Sequence, residues 1–144
     1  MRTGTGMAAA AAALFACSIA STNANAMASL YDRLGGKPAI TAVVDDFIRN
    51  VAADKRINVF FAHTDIPPFR QKLIDFFCAG TGGPCVYAGR DMKTAHTGMG
   101  VRNRDFNALV ADLGKTLKKF KVPAHEQTEL VAVLGPMRKD IVTR

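Results

Sequence analysis

Three histidines, two closely spaced cysteines and one pair of adjacent aspartates are the side chains through which this chain could do chemistry. His96 is the most informative of them. It ends the run Gly82-Gly83-Pro84-Cys85-Val86-Tyr87-Ala88-Gly89-Arg90-Asp91-Met92-Lys93-Thr94-Ala95-His96, in which an irregular loop leads into a short helical turn with Met92 one turn before the imidazole. A single imidazole delivered this way suits the axial position of a flat iron cofactor, which takes one protein ligand on its proximal face and leaves the other face open. Taken alone, a lone helical histidine is more often a surface residue or a satisfied core residue. His63 reads as an exposed loop residue, with contact to a cofactor edge as the alternative. His125 follows Pro123 in the first turn of the last helix and reads as surface.

The other candidates narrow the chemistry further. Asp45 and Asp46 invite an acid/base reading, but adjacent helical positions diverge by about 100° and cannot converge on one substrate atom. No cysteine and histidine set has zinc spacing, no glycine-rich loop joins a strand to a helix, and no serine or cysteine has a credible positioned base. Cys78 and Cys85 lie seven positions apart across a glycine-rich loop. They can pair or stay free, and the spacing leaves both open because the Cα separation decides it.

These residues need helices to position them. Ile40, Val43, Val44, Phe47, Ile48 and Val51 fall on one helical stripe beginning near Pro38, just after Gly35-Gly36. Phe69, Leu73, Phe76 and Phe77 repeat the pattern, with Pro67 and Pro68 in the first turn and Asp65 or Thr64 as the cap. Phe106, Leu109, Val110, Leu113, Leu117 and Phe120 make a third stripe. Leu130, Leu134, Met137 and Ile141 make a fourth, with a kink expected at Gly135-Pro136 because proline removes a backbone donor. No strand alternation is sustained. The prediction is an all-α single domain of four main helices, a short turn over Asp54–Phe61 and the turn bearing His96.

The domain does not use the whole chain of 144 residues. Arg2 precedes an apolar run from Met7 to Ala16, then Ser21-Thr22-Asn23 and the small-x-small pattern Ala24-Asn25-Ala26, which together read as a secretory signal over residues 1–26. Cleavage there leaves residues 27–144 as the domain and implies export, in a bacterium to the periplasm. Leu14-Phe15-Ala16-Cys17 supports a rival reading, a lipid anchor on Cys17, and a start at Met27 is a third. The apolar run is too short for a permanent membrane span. Loss of Arg2 lowers the formal charge from +7 to +6. Those charges are dispersed over helical faces, and the dense run Lys115–Lys121 interleaves Leu117 and Phe120 at helical spacing, so it reads as a solvated helix face and not a nucleic-acid site.

Leu30-Tyr31-Asp32-Arg33-Leu34-Gly35-Gly36, Val44-Asp45-Asp46-Phe47, Phe60-Phe61, Phe76-Phe77 and the stretch from Gly82-Gly83-Pro84 through Tyr87, Gly89, Met92-Lys93 and His96-Thr97-Gly98 together resemble the group I truncated haemoglobins. The resemblance covers roughly residues 29–143. It implies a truncated globin fold, a two-over-two helical sandwich around haem b (iron protoporphyrin IX). His96 matches the proximal iron ligand, Phe61 the phenylalanine stacked on the porphyrin, and Phe47 a position flanking the distal cavity. Tyr87, Arg90 and Lys93 match the region lining the haem edge and its propionates, and Met92 falls in the proximal cofactor-binding stretch.

The resemblance also implies an unusual distal side. Ile48 stands where many members have a tyrosine that donates to bound oxygen, and Phe69 and Leu73 fall where polar residues complete that network. A donor to bound oxygen is worth roughly 1–3 kcal/mol, or roughly ten- to hundredfold in residence time. An apolar pocket therefore implies rapid oxygen release and little discrimination against carbon monoxide, unless Lys72 or Gln71 swings inward. Lys72 matches a position at which some relatives coordinate the iron directly; the alternative is that it snorkels out to a propionate or water. The resulting expectation is a gas-binding haem protein for oxygen, carbon monoxide or nitric oxide, used in oxygen binding, transport or scavenging. Nitric oxide dioxygenase or peroxidase-like chemistry with an unidentified reductase is the enzymatic alternative, and a haem-free helical interaction module is the third.

Overall fold

The first three apolar stripes each become a helix and the fourth is divided by a 3₁₀ turn into two in the computed structural model, which describes residues 28–144. The leader reading over 1–26, the anchor at Cys17 and the alternative start at Met27 lie outside the described residues. The elements run α1 (Leu30–Leu34), α2 (Gly36–Ala53), a 3₁₀ turn (Asn58–Phe61), α3 (Ile66–Gly80), α4 (Met92–His96), α5 (Asn103–Lys119), α6 (Ala124–Leu134), a 3₁₀ turn (Gly135–Met137) and α7 (Arg138–Ile141).

Local chemistry sets most of these boundaries. The α1 helix, too short to show a period, is nucleated by Ser29 and Asp32, each of whose side chains caps the other's backbone amide. Gly35 ends α1 at φ 101° and Gly36 follows at φ 73°, a left-handed corner that lets α2 start at once in a new direction. Asp65 does stand at the start of α3, but its carboxylate makes no capping bond. The reason is that a capping side chain accepts from the second or third amide of the helix, and Pro67 and Pro68 occupy those positions without an N–H. At Gly135-Pro136, where a kink is expected, a 3₁₀ turn separates α6 from α7.

Two helix pairs make the sandwich, with α2 packed along α3 and also crossing α5, while α5 packs on α6 and α7. The core between them is Val44, Phe47, Ile74, Phe77, Leu113, Leu117 and Leu130, all buried. Phe120 leaves the third stripe: α5 ends at Lys119, Lys121 takes φ 54°, and the Phe120 ring is 42% exposed.

The two aspartates act as the helical angle requires, one toward each neighbour. Asp45 accepts from Arg70 on α3, at 2.9 Å from Nη2. Asp46 is buried and accepts from Thr116 of α5 at 3.0 Å, from Asn50, and from Lys119. These are ties between helices, not an acid/base pair.

Candidate cofactor-binding pocket

A cavity of about 700 Å³ opens between α2, α3, α4, α5, α7 and the end of α6. That volume is in the range of cofactor and small-ligand pockets. Phe47, Ile48, Phe61, Phe69, Lys72, Leu73, Tyr87, Met92 and His96 all line it. Sequence positions scattered over about a third of the chain thus come together in one place. Lys93 does not line it; it is exposed, and its carbonyl accepts from the Thr97 hydroxyl at 2.7 Å.

His96 sits at the end of α4, a helix of only five residues. Its start is secured by Asp91, whose carboxylate accepts from the Thr94 amide at 2.9 Å and the Thr94 hydroxyl at 2.6 Å. Those bonds hold the Asp91 carboxyl below the usual carboxylate range. Packing of α4 against α7 fixes its other side. The imidazole Nδ1 lies 2.7 Å from the Met92 carbonyl oxygen. A carbonyl only accepts, so Nδ1 carries the proton and donates it, and the Nε2 lone pair is left for a ligand.

The walls are aromatic and aliphatic. Phe61 and Phe69 meet with ring centroids 5.6 Å apart, and Phe76 meets Tyr87 edge-on at 5.4 Å. Tyr87 donates its hydroxyl to the Arg90 carbonyl at 2.8 Å, and burial pushes its phenol pKa up. The Thr94 and Thr97 hydroxyls are likewise committed to nearby acceptors, which leaves Thr64 and Asp65 as the uncharged hydroxyl and the carboxylate on the cavity. Lys72 and Arg90 line it as well, and neither has an ion-pair partner among the described residues.

Several lining residues were legible in the sequence only as core. Leu109, Met137 and Ile141 belong to the predicted stripes, yet in the structure they are half-buried because they face the cavity instead of a neighbouring helix. Met99, which carried no readable signal, and Thr64, read only as a possible helix cap, also line it.

This donor set fits a haem. One imidazole nitrogen with its lone pair available, apolar walls for a macrocycle, and two unpaired cations for carboxylate groups at its edge are what such a cofactor requires. Between them, Cys78 and Cys85 are joined in a disulfide, their Cα atoms 5.7 Å apart, which settles the pairing left open by spacing.

Comparison with known proteins agrees with this arrangement. The bacterial-like globin family matches residues 29–143. The chain is 34% identical over 116 residues to a group 1 truncated hemoglobin of Mycolicibacterium paratuberculosis, covering 81% of this chain and 85% of the relative. It is 36% identical over 114 residues to one from Tetrahymena pyriformis, covering 79% and 94%. The crystal structure of the Tetrahymena pyriformis protein in its Fe(III) form superposes with a TM-score of 0.78 at 35% identity, covering 81% of this chain and all (100%) of that one. The 2/2 hemoglobin of a Synechococcus species, solved in the cyanomet state with covalently attached heme, gives a TM-score of 0.76 at 34% identity, with coverage of 81% and 100%. With its helical sandwich, its pocket and its whole described domain matched in this way, the chain belongs to the bacterial-like globin family and, within it, to the group 1 truncated haemoglobins.

Proposed function

We propose that the protein binds haem b in this cavity through Nε2 of His96 and reversibly binds oxygen and other diatomic gases. The observation that carries the reading is the Met92 carbonyl, which holds the His96 ring in the one tautomer whose Nε2 lone pair is available at an apolar cavity. When bound, haem supplies an iron with a face open to a small ligand. The chain's own residues do the rest. Met92 orients the imidazole, Phe61, Phe69, Ile48 and Leu73 exclude water, and Lys72 and Arg90 are placed to meet anionic groups at the cofactor's edge.

The apolar distal wall makes gas binding and release the better-supported use, in oxygen transport or scavenging. Turnover of nitric oxide or peroxide would need a stabilising donor or an acid/base group beside the ligand, and Ile48, Phe69 and Leu73 supply neither. Lys72 is exposed at the cavity, which supports the snorkelling role over coordination of iron: a desolvated site is what would favour its neutral, iron-binding form. Lys72→Ala is therefore expected to leave the ferric spectrum unchanged.

The test of the whole reading is the ferric and ferrous absorption spectrum of the protein from haem-replete cells beside that of His96→Ala. A Soret band that is lost or displaced in the variant is the expected result. A colourless wild type, or an unaltered spectrum in His96→Ala, would overturn it.

A further inference from the structure

The cavity wall between α3 and α4 is built in an unusual way. Residues 84–91 form no helix or strand, and among the described residues none of their amides donates a backbone-to-backbone hydrogen bond. Yet this stretch places Tyr87 and Arg90 on the cavity and ends at Asp91, the cap of the helix that carries His96. A segment without backbone bonds is ordinarily the first to open.

Side chains hold it instead. Cys85 is tied covalently to Cys78, which is fully buried near the end of α3. Tyr87, two residues on, packs edge-on against Phe76, two residues before Cys78. The disulfide and the aromatic pair thus form two rungs between the same two strips of chain. The approach is tight: a Cβ at Gly83 would lie 2.7 Å from the Cys78 sulfur and 2.5 Å from the Tyr31 ring, so only glycine lets the loop pass there. Cys85 itself is only half-buried, and Val86 beside it is exposed, which leaves the bond within reach of a thiol.

We infer that the Cys78–Cys85 disulfide is a redox latch on the cofactor pocket: intact, it pins the 84–91 wall and the approach to His96, and reduced, it lets that wall open and the pocket exchange its contents faster. The reaction is thiol–disulfide exchange with a dithiol. The dithiol gives up two electrons and two protons and becomes a disulfide, while the sulfurs of Cys78 and Cys85 separate and each ends as a thiol. The effect on the wall follows from the fold alone; the effect on haem rests on the cofactor reading above.

Two measurements on the full protein test this, made on the oxidised form and on the form reduced by a dithiol that is then removed without air. Amide hydrogen exchange at Thr94 and Ala95, whose N–H groups are held by Asp91 at the end of that wall, is expected to accelerate on reduction and recover on reoxidation. Haem transfer to excess apomyoglobin is expected to accelerate about tenfold, equivalent to about 1.4 kcal/mol, with Cys85→Ser behaving as the reduced protein. The latch is overturned if the amides exchange alike in both forms, if they differ but haem transfer stays within about twofold, or if both thiols titrate as free in the air-oxidised protein. Should the protein take up no haem, the cofactor reading fails by itself, and the amide comparison still decides whether the disulfide controls the wall.

Discussion

At the scale of single residues, the pocket depends on which atoms have been left uncommitted. His96 offers one nitrogen because the Met92 carbonyl has taken the proton of the other. Ile48, on the opposite side of the chemistry, offers nothing to a bound ligand. Replacing it with a donor, Ile48→Tyr, is expected to slow oxygen release about ten- to hundredfold, the range of one hydrogen bond to a partly charged acceptor, as read by stopped-flow spectroscopy. Asp112 shows the reverse condition, a charge committed where it is poorly served. It is fully buried, one carboxylate oxygen has no partner, and Lys115 meets the other at 3.0 Å. Burial pushes its pKa up, and the neighbouring Asp54 carboxyl adds to the shift. A carboxyl raised in the folded state contributes stability at low pH that is lost as pH rises through its folded pKa. Asp112→Asn removes that loss, and urea unfolding at neutral pH should show the variant more stable by about 1 kcal/mol, with the gain vanishing in acid.

At the scale of elements, two aspartates in the same formal position are predicted to behave differently. Asp91 caps α4 through the amide and hydroxyl of Thr94, whereas Asp65 begins α3 against prolines that have no amide to donate. Asp91→Ala should lower stability by about 1 kcal/mol, and Asp65→Ala by less than about 0.5 kcal/mol. Thermal denaturation of the two variants side by side checks it, and equal losses would mean that the prolines do not silence the Asp65 cap. Because α4 is short and carries His96, loosening its start also loosens the imidazole. The ferrous iron–histidine stretching band of Asp91→Ala is accordingly expected to broaden or shift, while Asp65→Ala keeps the wild-type band.

At the scale of the whole molecule, helices are joined across their polar faces by carboxylates that are held below their ordinary range. Arg70 lowers Asp45, Lys119 lowers Asp46 with help from Thr116 and Arg49, and Arg33 lowers Glu129. These pairs tie α2 to α3, α2 to α5 and α1 to α6 in turn. Carboxylates with lowered folded pKa contribute stability that is present above the unfolded value and lost as pH falls through the folded one. The urea midpoint is therefore expected to fall steadily as pH drops below about 4, the ordinary carboxylate range. Added salt should reduce the part carried by the exposed partners.

Much of this was legible from one dimension. The period of Ile40 through Val51, the proline start of α3 and the break at Gly135-Pro136 specify helices because they act over a single turn, where neighbours in sequence are neighbours in space. The motif around His96 singled that residue out through its resemblance to a family, and its ligand role is the reading proposed above. Distances between separate turns carry no such local signal. Only tertiary packing decided that Leu109, Met137 and Ile141 stop short of a partner and so leave a cavity, that the Cys78 and Cys85 backbones approach closely enough to be bonded, and that Lys93 stays outside the pocket. Helical periodicity tells which face a residue takes, but whether that face meets another helix or an empty space depends on how the surrounding elements close around it.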